Sequence, residues 1–232
     1  MSNNHPSSGA CRLYSGVMVK RVPTRTDHLR SAIAQEAARL MVEHGVQDYL
    51  VAKRKAAERY GVIEGSFLPR NTEIEAALAS YQRLFGGAQH ARNLQRQRQV
   101  AIKAMQLLQR FEPRLVGAVL SGSATEHSDI QLHAFADVPE TLYLHLADRR
   151  YEYEVFERKL KMAPDKLIAV PSARFLFGSE MVEALVFAPD GIRQAPISPV
   201  DGKPMRRAGL AELATLVQST SDGEFLGLSN GV

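Results

Sequence analysis

Residues 115–135, LVGAVLSGSATEHSDIQLHAF, contain the pattern that decides the fold. The first six residues form a continuous apolar run of strand length, and a Ser-Gly-Ser turn at 121–123 follows it. From Ile130 to Ala136 apolar and polar residues then alternate, which is typical of a strand with one buried face. The stretch therefore predicts two neighbouring strands joined by a tight turn.

Helical periodicity dominates the chain before this stretch, and strand-like runs dominate it afterwards. Four helices are predicted, at about 26–45, 47–60, 72–86 and 90–111. The third has a capping-box pattern at its start, with Thr72 followed three residues later by Glu75. After residue 136 the sequence predicts a helix from 139 to 149, strands at 151–161, 167–177 and 181–187, and a last helix at 210–218.

These elements predict an α+β protein with a four-helix N-terminal region packed beside a small mixed β-sheet domain. The expected organisation is a disordered tail at 1–25, a helical region at 26–112 and an α/β domain at 113–232.

Composition excludes several classes of protein. The chain has 232 residues with a formal net charge of +4, and its one cysteine rules out a disulfide framework or a zinc–thiolate cluster. No apolar run reaches the roughly 18 to 20 residues of a membrane span. No GxxxxGK[ST] phosphate-binding loop occurs. We expect a cytoplasmic protein without a membrane partner.

Residues 120–132 resemble the signature of the nucleotidyltransferase superfamily that includes polymerase beta-like and minimal nucleotidyltransferases. In that superfamily a strand ends in Gly-Ser, and Ser-Asp-Ile-Asp-Leu follows it. The turn lets backbone N–H groups approach a triphosphate, and acids at i and i+2 on one strand face hold divalent metal ions. The resemblance implies an NTP substrate, Mg²⁺, and transfer of a nucleoside monophosphate to a hydroxyl acceptor.

The resemblance also assigns residues to roles. Gly122 and Ser123 match the phosphate turn, and Asp129 matches the first metal ligand and catalytic acid. The second acid is replaced by Gln131, which stays in the nucleotide-binding set. Glu183, on the strand at 181–187, is the candidate third acid, so Mg²⁺ is expected at Asp129 and Glu183. The segment between Ser123 and Asp129 is shorter than is usual in the superfamily.

The neutral amide of Gln131 leaves two functions open, because it gives a metal one weak oxygen in place of a full negative charge. One is an active nucleotidyltransferase. The other is a fold of this type that has lost catalysis and serves as a binding or regulatory module for nucleic acid or a protein. Gly-Ser and Ser-Asp are also common turn sequences, so a purely structural role for them stays open.

Two further sites have alternative interpretations. His127 and His133 flank Asp129, so the three side chains form either a metal site or ordinary strand packing. Basic residues on the predicted helices indicate either contact with a nucleic-acid backbone or a solvated face. These basic residues are Lys53, Arg54, Lys55, Arg92, Arg96, Arg98, Lys103 and Arg110.

Overall fold

The computed structural model describes residues 24–62 and 67–227, with side chains up to residue 219. The helices in this part of the chain are α1 (Arg25–Glu43), α2 (Tyr49–Arg59), α3 (Asn71–Tyr81), α4 (Gly87–Leu107), α5 (Gly117–Ser121), α6 (Glu140–Asp148) and α7 (Leu210–Gly227). The strands are β1 (Arg114–Val116), β2 (Ile130–Phe135), β3 (Tyr153–Ala163), β4 (Lys166–Phe177) and β5 (Glu180–Phe187). A π-helical turn at Gln82–Gly86 joins α3 to α4.

The strands form one mixed sheet in the order β1-β2-β5-β4-β3. β2 and β5 are parallel, and the other neighbouring pairs are antiparallel. The fold is therefore α+β with a mixed sheet, as the alternation of helical and strand periods predicted. β2, β3, β4 and β5 lie close to their predicted positions.

The helices divide between two main apolar cores. One core is built by α1, α2 and α3, and includes Ile33, Ala37 and Ile74. The other lies on one face of the sheet and includes Met105 and Leu108. Because the apolar side of α4 belongs to this second core, three helices rather than the predicted four pack around the N-terminal core.

The prediction of a strand at 115–120 is wrong beyond Val116. β1 ends there, Gly117 has a φ of +71°, and residues 117–121 form the short helix α5. A left-handed glycine ends an extended strand, and a short apolar run cannot be distinguished from a buried helical segment by periodicity alone. The Ser-Gly-Ser turn consequently lies after α5, where Gly122 is the C-cap, and not at the end of a strand.

The predicted capping box of Thr72 and Glu75 is also absent. α3 begins at Asn71, and the Glu73 carboxylate accepts a hydrogen bond of 2.6 Å from the Arg70 backbone N–H. Glu75 is two residues further along the helix, and its carboxylate contacts the hydroxyls of Tyr49 and Ser123.

The structure bears on only part of the predictions about the N-terminal tail and about a membrane span. All but the last two residues of the predicted tail at 1–25 lie outside the described residues. In the described part of the chain, no helix has the length and apolar character needed to cross a lipid bilayer.

Candidate functional site

A cleft of about 1090 Å³ separates the α1–α3 helices from the uncovered face of the sheet. Residues 198–206 form part of its wall, and the Asn71 side-chain N–H donates to the Pro199 carbonyl at 2.7 Å across it. Asp129 and Gln131 line the cleft from the β2 side, and Arg158 lines it from β3. Ser123, Asp129 and Gln131 of the site residues selected from the sequence line this cleft, whereas Gly122 and Glu183 do not.

The sheet register brings the selected acids together. Gln131 on β2 is the parallel partner of Glu183 on β5, and its amide N–H lies 3.4 Å from Glu183 Oε2. Asp129 directly precedes β2 and shares the face of Gln131 because strand side chains alternate. On the opposite face Ile130 and Leu132 are fully buried in the core, as the alternating pattern predicted.

Each of the two acids is paired with an arginine. Arg174 on β4 lies 2.9 Å from Asp129 through its Nη2. Arg158 on β3 donates from Nη2 to Glu183 Oε2 at 2.7 Å and contacts Oε1 through Nε. Sequence pattern does not predict these partners, because 158 and 174 lie in two strands whose pairing order periodicity does not reveal.

Glu183 is an enclosed carboxyl, with only 1% of its side chain exposed. Burial raises its pKa, the nearby charge of Asp129 raises it further, and Arg158 and Gln131 oppose both effects. Arg158 therefore supplies the positive charge that makes an ionised Glu183 tolerable at this depth.

Gly117, rather than Gly122, is the glycine beside these residues. A methyl group on the Gly117 α-carbon would lie 2.5 Å from Gln131 Oε1, so the Gln131 amide covers the glycine that ends β1. Gly122 faces α4 instead, where a methyl group on its α-carbon would lie 3.7 Å from Arg98 Nη2 and 3.8 Å from Leu94 Cδ2. Of the predicted phosphate turn, Ser123 lines the cleft and Gly122 does not.

Side chains from the helices hold the loop between α5 and β2. The Gln82 amide donates to the Ser123 and Ala124 carbonyls at 3.1 and 3.0 Å. The Gln97 amide donates to the Thr125 carbonyl at 2.9 Å. These bonds satisfy carbonyls in an irregular buried segment and fix the approach to Asp129.

The prediction that Arg98 lies on a basic face is wrong. Arg98 is 7% exposed, and its guanidinium donates to the Val119 and Leu120 carbonyls at the end of α5. Arg96 pairs with Glu180 at 2.9 Å, and Lys53 donates to the Pro69 carbonyl. The exposed members of the predicted basic faces include Arg92, Lys103, Arg110, Arg54 and Lys55. Binding of nucleic acid by these residues stays a prediction.

His133 is a buried hydrogen-bond acceptor and does not fit the interpretation as a metal ligand. Arg207 Nε donates to its Nδ1 at 2.9 Å, and burial, followed by the charge of Arg207, lowers its pKa to about 3. The Arg207 guanidinium lies over the neighbouring Phe135 and Phe187 rings, 5.3 Å from each centroid. His127 is exposed at the rim of the loop.

Glu75 is a site residue that the sequence analysis did not assign to the site. Its Oε1 accepts from the Tyr49 hydroxyl and lies 3.4 Å from the Ser123 hydroxyl, which in turn contacts Ser121 Oγ at 2.9 Å. Burial raises the pKa of Glu75, and the bond from Ser123 opposes this. Its i,i+4 spacing from Asn71, which also lines the cleft, was the available sequence signal.

The residues present do not fit the expected Mg²⁺. Carboxylate charge sets the affinity for this ion, and here one of the three acid positions is the neutral amide of Gln131. The remaining two carboxylates already bind guanidinium groups, which would repel a divalent cation. Among residues 24–62 and 67–227, no group of three or more His, Cys, Asp and Glu side chains is arranged to hold a metal ion.

Comparison with known proteins gives no relative: no family model, no curated protein and no solved structure matches the chain. The chemistry of the cleft is therefore the basis for inferring a function.

Proposed function

We propose that this protein is a binding module built on a nucleotidyltransferase-type sheet, and that its cleft holds a ligand without transferring a nucleotide. The observation that carries the proposal is the pairing of both candidate metal ligands with arginines, Asp129 with Arg174 and Glu183 with Arg158. A site whose acids are neutralised by fixed guanidinium groups lacks the charge that attracts a divalent cation.

The order of elements supports the nucleotidyltransferase comparison once the glycine is reassigned. β1 ends directly before Gly117, the short helix α5 follows, Asp129 directly precedes β2, and the parallel strand β5 carries Glu183. Gly117 and Ala118 then occupy the positions of the Gly-Ser pair in the superfamily pattern. Moving the glycine from 122 to 117 also lengthens the segment before Asp129 by five residues.

The reassigned turn supports loss of catalysis. Ala118 has no hydroxyl to offer a phosphate, and the amide of Gln131 fills the space against Gly117 that a phosphate would need. A backbone turn binds a phosphate through free N–H groups with room in front of them. Here the side chain of Gln131 both removes a negative charge from the metal position and obstructs the turn.

An active nucleotidyltransferase using an NTP and Mg²⁺ is the rival. The convergence of Asp129, Gln131 and Glu183 on one face favours it, because that convergence is what the resemblance requires. The two functions differ in whether the centre transfers a nucleotide at all.

The discriminating experiment is a transfer assay with the four labelled NTPs, in Mg²⁺ and in Mn²⁺. Wild type, Asp129→Asn and a matched exposed variant, Asp148→Asn, are compared. We expect the same background label in all three proteins. Transfer by wild type and Asp148→Asn that disappears in Asp129→Asn would establish the enzyme and reject the binding module.

A further inference from the structure

The acids that line the cleft differ in what neutralises them. Asp129 has Arg174 as its partner. Asp48 caps α2 through the Leu50 and Val51 backbone N–H groups, and Asp201 accepts from the Lys203 backbone N–H. Glu75 has neither kind of partner among the described residues, because its contacts are the neutral hydroxyls of Tyr49 and Ser123.

The geometry of Glu75 leaves one oxygen for a ligand. Both hydroxyl contacts are made to Oε1, and in the described part of the chain no side chain donates to Oε2. Glu75 lines the cleft, so a molecule in the cleft reaches it from the open side. A half-buried carboxyl with only neutral partners is costly to ionise, and burial raises its pKa accordingly.

The positive side chains that line the cleft are Arg158, Lys203 and Arg206, and none of them contacts Glu75 in the described part of the chain. Arg158 is bound to Glu183, Arg206 is bound to Glu212 at 2.5 Å, and Lys203 lies on the wall formed by residues 198–206. The contacts of Glu75 lead only to hydroxyl groups, because Ser123 Oγ in turn contacts Ser121 Oγ at 2.9 Å. Asn71 Oδ1, four residues before Glu75, is a buried acceptor without a hydrogen-bond partner among the described residues.

We infer that the cleft binds a ligand through an ammonium or guanidinium group that lies against Glu75, with the Ser121 and Ser123 hydroxyls beside it. Such a group supplies the charge-assisted donors that Glu75 lacks, and these are about twice as strong as neutral hydrogen bonds. The inference rests on the proposed binding function of the cleft. The group comes either from a free amine or from a Lys or Arg side chain of a peptide.

The test is calorimetric titration with agmatine and putrescine, and with the neutral match 1,4-butanediol. A second arm uses the peptides Gly-Gly-Arg-Gly-Gly and Gly-Gly-Gln-Gly-Gly. The proteins are wild type, Glu75→Gln, which keeps acceptors for Tyr49 and Ser123, and Glu58→Gln, a matched change at an exposed glutamate of α2.

We expect at least one cationic probe to bind wild type and Glu58→Gln with similar affinity. The same probe should bind Glu75→Gln at least about tenfold more weakly. Tight binding of the amines assigns a free amine, and tight binding of the arginine peptide assigns a side chain. The inference is overturned if no cationic probe binds, if the neutral matches bind equally well, or if Glu75→Gln keeps full affinity.

A second measurement uses wild type alone, so its result does not depend on whether Glu75→Gln folds. Carbodiimide coupling to glycine ethyl ester, followed by peptide mass spectrometry, should modify Glu75 less when methylguanidinium is present, with no protection of Glu58. Methylguanidinium has no amine that this reaction couples, so equal modification with and without it contradicts the inference. Neither measurement contains a nucleotide or a metal ion, so failure here leaves the result of the transfer assay unaffected.

Discussion

The side-chain amide of Gln131 covers the α-carbon of Gly117, and its oxygen would lie 2.5 Å from a methyl group placed there. This contact joins the end of β1 to the second residue of β2. Under the proposed function, the Gln131 side chain accounts both for the missing charge at the metal position and for the obstructed turn.

Gly117→Ala should be destabilising for two separable reasons. Its φ of +71° disfavours any side chain, and the new methyl group would clash with Gln131. We expect a loss of about 2–4 kcal/mol in the free energy of unfolding, measured by urea denaturation. The matched control is Gly178→Ala, with a φ of +65° and no atom within 4 Å of the new methyl group, which should cost about 1 kcal/mol.

The double variant Gly117→Ala/Gln131→Ala isolates the clash. This double variant should recover most of the difference in the free energy of unfolding between Gly117→Ala and Gly178→Ala. Equal losses for the two single glycine variants would show that Gln131 does not obstruct the turn.

Arg158→Met should leave Glu183 buried without its cation. We expect a loss of about 2–3 kcal/mol at pH 7, because an uncompensated buried carboxylate is costly. Lys159→Met, the exposed neighbour on the other face of β3, should change stability by less than about 0.5 kcal/mol. Arg158→Met/Glu183→Gln should be more stable than Arg158→Met alone; if it is less stable, the pair is not an ionic one.

Gln97→Ala should loosen the loop before Asp129. Gln97 is fully buried, and the Thr125 and Ser128 carbonyls would lose its amide donor. Hydrogen exchange should become faster at 123–128, with a stability loss of about 1–3 kcal/mol. Gln99→Ala, at an exposed position of the same helix, is the control and should change neither. Unchanged exchange in Gln97→Ala would contradict the role given to this side chain.

His133 should make the protein sensitive to acid. Its folded pKa of about 3 lies below the ordinary value of 6.5, so the unfolded chain binds the proton more readily. This residue's contribution to stability is therefore present above about pH 6.5 and is lost as the pH falls towards 3.

His133→Gln keeps an acceptor for Arg207 and removes this titration. Between pH 7 and 4.5 wild type should lose about 2 kcal/mol more than the variant does, as measured by urea denaturation at each pH. The control is His127→Gln, at an exposed position. Parallel stability curves for wild type and His133→Gln would refute the assignment.

Much of the sheet followed from sequence pattern, and the cleft did not. The alternating run at Ile130 and Leu132 fixed which face of β2 is buried, and therefore which face carries Asp129 and Gln131. The run at 115–120 led to the wrong prediction of a strand, because a continuous apolar segment has no periodicity. The backbone conformation of Gly117 determines where the strand ends. Strand pairing determines which arginine meets which acid, and single-sequence periodicity contains no information about pairing order.

Arg98 and Glu75 show a second limit of the sequence. A cation among glutamines on α4 resembles a solvated helix face, yet Arg98 is buried because it satisfies the carbonyls at the end of α5. Glu75 fits a capping box by spacing, yet the chain begins α3 earlier and uses Glu73 instead. In both cases a partner distant in sequence decides the role.

The most direct test of the central claim is a Mn²⁺ titration followed by electron paramagnetic resonance. We predict that the spectrum of wild type stays that of the free hydrated ion at submillimolar Mn²⁺, because guanidinium groups neutralise Asp129 and Glu183. Gln131→Asp/Arg158→Gln, which restores a carboxylate and removes one guanidinium, should gain binding and serves as the positive control. A saturable site of one ion per wild-type chain that is lost in Asp129→Asn would contradict the account.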